Sequence, residues 1–218
     1  MKSSHTVYTL AVGALETNCY LLAEASSRAA LCIDPGDDAE AILDLAARHH
    51  LSVAGIALTH GHGDHIGAVS ALRAAWDVPV YIHDADAVML TSAERNLSVH
   101  LGVHISTAAP DTTLDDGMTI DFGDTRVRVL HTPGHTRGGV CYLVREATPV
   151  PLLFSGDTLF AREVGRCDLP GGSFPTLQQS IRAKLYTLPG NTRVFPGHGP
   201  PTTIAEEQRE NPHVRLNA

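Results

Sequence analysis

The sequence predicts an α/β chain of two sheets packed face to face with helices outside. Short strand-like apolar runs recur in both halves of the chain, from Thr6 to Leu58 and again from Thr119 to Phe195. Each half also carries amphipathic helical stretches after its strands. The strands are too numerous and too hairpin-like for a doubly wound parallel sheet, so the two halves bury one sheet face against the other. At 218 residues and 43% hydrophobic content, the chain reads as a single domain over 1–218, or at most two closely packed halves.

Thr6 to Val12, Cys19 to Glu24 and Ala30 to Asp34 read as strands. Asp34-Pro35-Gly36-Asp37 is a turn signal, after which Ala41, Ile42, Leu45 and Ala46 mark an amphipathic helix. Val53 to Leu58 is a buried strand, and Ile66, Val69, Leu72 and Trp76 recur at helical spacing up to Asp77-Val78-Pro79. Val80 to Ile82 is a short strand, and Asp84 to Leu101 is helical in pieces. The second half has strands at Thr119 to Phe122, Arg126 to Leu130, Val140 to Val144 and Leu152 to Ser155. Ser173-Phe174-Pro175 opens a helix with Leu177, Ile181, Leu185 and Leu188 on one face, proline standing where its missing N–H costs nothing. A last strand, Arg193 to Phe195, precedes Pro196-Gly197-His198-Gly199, and Thr203-Ile204-Ala205-Glu206 resembles a capping box for a helix that stops before Asn211-Pro212.

The chemistry concentrates in Thr59-His60-Gly61-His62-Gly63-Asp64-His65, where a strand hands over to a helix. A lone loop histidine is ordinarily a solvated residue. Three histidines and an aspartate alternating with glycines have no structural reason to gather where a sheet opens. His60 and His62, two apart in extended chain, face the same side. Gly61 and Gly63 are expected to let the backbone fold tightly, turning Asp64 and His65 toward a second centre. Asp64 lies near a helix N-terminus, which favours a carboxylate. Three later turns repeat the pattern of a strand entering a Gly-rich bend with one ligand-type residue: His135 in His131-Thr132-Pro133-Gly134-His135-Thr136, Asp157 in Phe154-Ser155-Gly156-Asp157-Thr158, and His198. Singly, each has an ordinary explanation as a cap or a solvated side chain. Jointly, seven imidazoles and carboxylates at sheet-edge turns point to a metal site.

The H-x-H-x-D-H run, followed in order by single His, Asp and His residues, resembles the metallo-β-lactamase-fold hydrolase superfamily over nearly the whole chain. The resemblance implies a four-layer αββα sandwich with the site at one edge of its sheets. It implies that His60, His62 and His135 hold one metal, that Asp64, His65 and His198 hold a second, and that Asp157 bridges them. Imidazoles and carboxylates without a thiolate suit zinc first, with iron or manganese as alternatives. Two such ions about 3.5–4 Å apart share a water whose pKa falls to about 7, so the expected nucleophile is a metal-bridging hydroxide held by Asp157. No residue outside the metal shell presents itself as a general acid.

Asp157, at a position where metallo-β-lactamases with the three-histidine site carry cysteine, is similar to the glyoxalase II branch. So are Asn18-Cys19-Tyr20-Leu21-Leu22 and Gly165-Arg166-Cys167-Asp168-Leu169-Pro170-Gly171-Gly172. This branch implies hydrolysis of thioesters such as S-lactoylglutathione. Arg166 either meets an anionic substrate or pairs with Asp168 at the rim. Cys167 stands where the resemblance leads one to expect threonine, and no role is assigned to it. Glyoxalase II has a longer C-terminal helical domain that contacts glutathione, whereas this chain runs from His198 only to Ala218. Glutathione recognition is therefore not carried over, and a wider, less selective pocket is expected. The alternative is a mononuclear iron persulfide dioxygenase of the same superfamily, using His60, His135 and Asp157.

Sixteen Lys and Arg against 24 Asp and Glu give a formal charge of −8 with no basic stripe, which disfavours a nucleic-acid partner. The expected partner is a small-molecule ester or thioester. No apolar run approaches bilayer length, and Met1 to Thr6 lacks the apolar stretch of a secretory leader, so a cytoplasmic setting is expected. Cys19, Cys32 and Cys141 lie in strand-like runs, and no C-x-x-C occurs, so buried free thiols are expected.

Overall fold

The computed structural model describes residues 5–146 and 148–216. Residues 1–4, part of the Met1 to Thr6 stretch considered for a leader, lie outside the described residues. The chain opens with an antiparallel meander of β1 (His5–Val12), β2 (Thr17–Glu24) and β3 (Ala29–Ile33). The turn that begins at Asp34 leads into α1 (Ala39–Arg48), which returns the chain to β4 (Ser52–Ala57), parallel to β3. Next come α2 (Gly63–Ile66), α3 (Val69–Trp76) and β5 (Val80–His83). A connection with 3-10 turns at Asp84–Met89 and Ser98–Leu101 leads to β6 (Thr112–Leu114), completing a six-stranded sheet in the order β1-β2-β3-β4-β5-β6.

The second half starts with antiparallel β7 (Thr119–Phe122), β8 (Thr125–His131), β9 (Val140–Val144) and β10 (Leu152–Gly156). A small hairpin follows, β11 (Leu159–Phe160) with β12 (Glu163–Val164). Then come α4 (Phe174–Ser180), β13 (Arg193–Pro196), β14 (Thr202–Thr203) and α5 (Ile204–Glu210). The second sheet runs β14-β13-β10-β9-β8-β7. β10 is parallel to β13 and antiparallel to β9, which is antiparallel to β8. Consequently β8, β10 and β13 all end at the same edge of the sheet, and the turns carrying His135, Asp157 and His198 leave from there.

Strand alternation builds the layers. On β2, Tyr20 and Leu22 face the second sheet, while Cys19, Leu21 and Ala23 face α1 and α3. On β9, Val140, Tyr142 and Val144 face the first sheet, while Cys141 and Leu143 face Leu177, Ile181 and Leu185. Both sheets are thus apolar on both faces and lie between helical layers, the αββα arrangement. Phe154 anchors the inter-sheet layer, with its ring stacked on Phe195 at 5.2 Å and edge-on to Tyr20 at 5.3 Å. Among the described residues, no helix is long and apolar enough to cross a membrane.

The structure departs from the sequence reading in four places. The helix expected from Ile66 to Trp76 is split because the Asp34–Gly36 turn presses on it: Ala68 N–H donates to Pro35 O at 3.0 Å, and a side chain at Gly67 would strike the Gly36 carbonyl. The helix after Ser173 widens into a π-turn over Ile181–Leu185, where Tyr186 N–H reaches back to Ile181 O. β6, β11, β12 and β14 were not anticipated, each being two or three residues long and too short to show a period. Gly61 and Gly63 do not have positive φ. Instead, a side chain at Gly61 would collide with Met89 and one at Gly63 with Ser98, so these glycines permit close approach to the 84–101 connection. Cys19, Cys32 and Cys141 are buried free thiols, as expected.

Truncating Phe154 to alanine opens a cavity between two rigid sheets that cannot collapse toward each other. Phe154→Ala is expected to lower unfolding stability by about 3–5 kcal/mol in chemical denaturation. A loss below 1 kcal/mol would mean that the inter-sheet layer is loosely packed.

Candidate metal centre

Each ligand-type residue named from the sequence reaches one edge of the sandwich. After β4, Leu58 and Thr59 are tied down on two sides: Tyr142 Oη–H donates to Leu58 O at 2.7 Å, and Val140 N–H donates to Thr59 O at 2.8 Å. The loop then delivers His60 and His62, and Asp64 sits in the first turn of α2. His135 follows Gly134, whose φ of 134° and tight contact with the Leu177 backbone exclude a side chain. Asp157 follows Gly156, at φ 47° and packed against the Thr59 side chain. The turn bearing His198 is held from β2, where Asn18 Nδ2 donates to Pro196 O at 3.0 Å and Gly199 O at 2.9 Å, and Tyr20 Oη–H donates to Pro196 O at 2.6 Å.

Three donor groups result: His60, His62 and His135; Asp64, His65 and His198; and His60, His65 and Asp157, each with its ligand atoms within 4.8 Å of one another. His62 Nδ1 lies 3.0 Å from His60 Nε2 and 2.9 Å from His135 Nε2. Asp157 stands between the groups, with Oδ1 3.5 Å from His65 Nε2 and Oδ2 3.6 Å from His135 Nε2 and 3.7 Å from His198 Nε2. Asp64 Oδ2 approaches His198 Nε2 at 3.3 Å and His65 Nε2 at 3.5 Å.

Partners on the far side of four of the five rings decide which nitrogen is free. His135 Nδ1 donates to Arg166 O at 2.7 Å, and His198 Nδ1 donates to Leu15 O at 3.1 Å. His65 Nδ1 donates to Asp34 Oδ2 at 3.1 Å. The Thr59 hydroxyl gives its proton to Asp34 Oδ2 at 2.6 Å and so accepts from His60 Nδ1 at 3.2 Å. Nδ1–H tautomers leave four Nε2 lone pairs converging on the cluster, while His62 contributes Nδ1. Hydrogen bonds alone do not satisfy this arrangement, since His62 Nε2, His65 Nε2 and Asp157 Oδ1 are buried without a partner among the described residues. A divalent cation fits these donors, for imidazole and carboxylate are its usual ligands.

The cluster's electrostatics divide in two. Burial pulls His62 down to about 3, aided by His135, and burial with the neighbouring imidazoles holds His60 well below the usual histidine range. Burial also opposes charge on His65, but the carboxylates of Asp64, Asp157 and Asp34 outweigh it and push the ring up to about 10. Asp64 shows the converse: burial would raise it, yet His65 and His198 hold it well below the carboxylate range.

Two buried aspartates that the sequence reading missed complete the frame. Asp34 joins Thr59 and His65 as described. Asp86 accepts from Gly138 N–H at 2.7 Å, the Thr136 hydroxyl at 2.7 Å and Gly61 N–H at 3.3 Å, clamping the His135 turn to the histidine loop. Arg166 pairs with Asp168 through two contacts of 2.8 Å at the rim. Beside the cluster opens a cleft of about 1000 Å³.

The family model for the metallo-beta-lactamase superfamily matches residues 12–198. The chain is 39% identical to "Probable metallo-hydrolase YqgX" of Bacillus subtilis, over 93% of this chain and 94% of that one. It is 33% identical to "Hydroxyacylglutathione hydrolase GloC" of Haemophilus influenzae, over 93% and 95%. Among solved structures it resembles BLEG-1 B3 metallo-beta-lactamase (TM-score 0.90, 40% identity, 96% of this chain and 99% of that one). It also resembles TTHA1623 in a di-iron-bound form (0.81, 39%, 94% and 98%) and ETHE1 from Myxococcus xanthus (0.79, 30%, 96% and 84%).

A cation and a proton compete for His65 Nε2. With its pKa raised to about 10, metal-free His65 carries the proton at pH 7 and must lose it on ligation. Calorimetric metal titrations at pH 7 in two buffers of different ionisation enthalpy are expected to give different apparent enthalpies, corresponding to release of about one proton or more. Release should diminish as pH rises through the His65 value, and buffer-independent enthalpies at pH 7 would contradict the assignment.

Proposed function

This chain belongs to the metallo-β-lactamase superfamily and is a metal-dependent hydrolase. From that premise we propose that it carries two divalent ions and cleaves thioesters, S-lactoylglutathione among them. The observation that carries this reading is Asp157, whose two oxygens face His65 on one side and His135 and His198 on the other, the disposition of a shared ligand. His60, His62 and His135 would hold one ion and Asp64, His65 and His198 the other. Zinc suits the donors best, with iron or manganese as alternatives, and TTHA1623 is a relative described in a di-iron form. When bound, such ions polarise a carbonyl and bring the pKa of water to about 7.

The chain's own groups orient and enclose the reaction. Water adds its oxygen to the acyl carbon, the C–S bond breaks, the sulfur departs as thiolate, and the water's two protons pass to solvent, leaving the acid as carboxylate. Asp157 lies at the junction of the two donor groups, where its carboxylate orients the attacking water's O–H. No lysine or tyrosine lines the cleft among the described residues, so a leaving alkoxide would have to draw its proton from the rim imidazoles His100 or His213. A thiolate needs no such help, since a thiol's pKa is only about 8.5, which favours thioesters over alkyl esters.

A one-iron dioxygenase built on His60, His135 and Asp157 is the competing reading, and the similarity to ETHE1 keeps it in view. It leaves the second donor group, Asp64, His65 and His198, without a task. Protein purified without chelator is expected to hold about two metals per chain and to hydrolyse S-lactoylglutathione. One iron per chain with oxygen uptake on glutathione persulfide would replace this reading with the other. Asp157→Ala is expected to lower both metal content and turnover more than alanine at any single histidine. Two retained metals with full turnover in that variant would remove the bridging role.

A further inference from the structure

The cleft beside the metal cluster is apolar on most sides. Leu15, Leu101, Phe160, Val164, Leu169 and Phe174 line it. Leu15, Leu101 and Phe174 are unusually open to solvent, at 48%, 46% and 41% exposure. They come from three separate segments, the β1–β2 turn, the second 3-10 turn and the start of α4, yet meet around one opening. The wall is continuous with the ligands. Phe160 lies edge-on to His198 with centroids 6.2 Å apart, and the Leu15 carbonyl accepts from His198 Nδ1. Large apolar side chains left in water at the mouth of a site gain most when a ligand's apolar surface covers them.

Charge along the cleft runs against an anionic substrate. No lysine lines it among the described residues, and its one arginine, Arg166, is doubly bonded to Asp168. That pair is exposed and opens at little cost. Opening it nevertheless leaves the Asp168 carboxylate at the same rim, so an approaching anion gains little. Of the rim imidazoles, His213 is held by Glu163 at 2.7 Å, leaving His100. Outside the metal ligands, a glutathione-like thiol with two carboxylates to place finds the His100 imidazole but no unopposed lysine or arginine among the described residues.

We propose that this cleft selects thioesters whose acyl group is an apolar chain and whose thiol portion carries no anionic arm, with Leu15, Leu101 and Phe174 determining that preference. The inference rests on the hydrolase reading above and names its substrate class. S-Lactoylglutathione, polar in its acyl group and anionic in its thiol, is then cleaved as a poor substrate. At about 1000 Å³ the cleft is at the upper end of the range of small-molecule sites and far exceeds what a lactoyl group needs.

The test compares N-acetylcysteamine thioesters of acetate, butyrate, hexanoate and octanoate on metal-loaded protein, with S-octanoylglutathione alongside. Burial of about two methylenes suffices for a tenfold change, so kcat/KM is expected to rise at least tenfold from acetyl to octanoyl. S-Octanoylglutathione should be turned over severalfold less well than its N-acetylcysteamine counterpart. Leu15→Ser and Phe174→Ser should each reduce the octanoyl-to-acetyl ratio at least threefold. Binding of non-hydrolysable S-octyl and S-methyl N-acetylcysteamine thioethers to metal-loaded protein, followed by calorimetry, separates the cleft from the chemistry, and the octyl compound should bind at least tenfold tighter. Hydrolysis with no dependence on chain length, or a preference for the glutathione ester, would overturn the proposal while the hydrolase reading stands. Tighter octyl binding without hydrolysis of any thioester would support the proposed apolar cleft and overturn the thioesterase reading. An octanoyl preference undiminished in both serine variants would overturn the role given to Leu15 and Phe174.

Discussion

Asp34 is buried between the first sheet and the histidine loop, and its carboxylate accepts the Thr59 N–H at 2.7 Å, the Thr59 hydroxyl at 2.6 Å and His65 Nδ1 at 3.1 Å. A buried carboxylate is tolerable only when so satisfied. In return it sets the tautomers of two rings, His65 directly and His60 through the Thr59 hydroxyl. The turn it begins also fixes α2, because Gly36 is pressed against the Asp64 carbonyl too closely for any side chain. One turn after β3 therefore governs where Asp64 stands and which nitrogen of His60 and His65 is offered.

The remaining ligands depend on strand direction. β8, β10 and β13 end at the same edge, so residues far apart in the chain arrive together with no long loop to order. Outer hydrogen bonds then aim each ring: Arg166 O for His135, Leu15 O for His198. The cost of this convergence is electrostatic. His60 and His62 are driven toward the neutral form, while His65 is driven to hold a proton by the carboxylates around it. Divalent cations relieve both tensions at once, taking the lone pairs of the neutral rings and balancing Asp64 and Asp157.

The histidine loop was legible in the sequence because its ligands are adjacent, and the later turns because each follows a strand into glycine. Both sheets were legible wherever a strand ran long enough to alternate. Asp34 and Asp86 were not, since each looks like an ordinary turn residue and its partners lie 25 to 52 positions away. The role of Asn18 was hidden for the same reason, its carbonyl partners being Pro196 and Gly199. The π-turn after α4 escaped because Leu177, Ile181 and Leu185 keep a spacing of four that an unbroken helix would also show. The cleft's apolar wall has no linear signature at all, being assembled from separate turns.

The claim on which the chemistry depends is that outer hydrogen bonds preset the lone pairs of His60, His65, His135 and His198 at the cluster, while His62 turns Nδ1 toward it by its position. Long-range ¹H–¹⁵N correlation spectra of ¹⁵N-histidine-labelled, metal-loaded protein read each ring's tautomer directly. His60, His65, His135 and His198 are expected as Nδ1–H rings ligated through Nε2, with His62 alone as the Nε2–H ring ligated through Nδ1. A different pattern, above all His65 carrying its proton on Nε2 with metal present, would contradict the account.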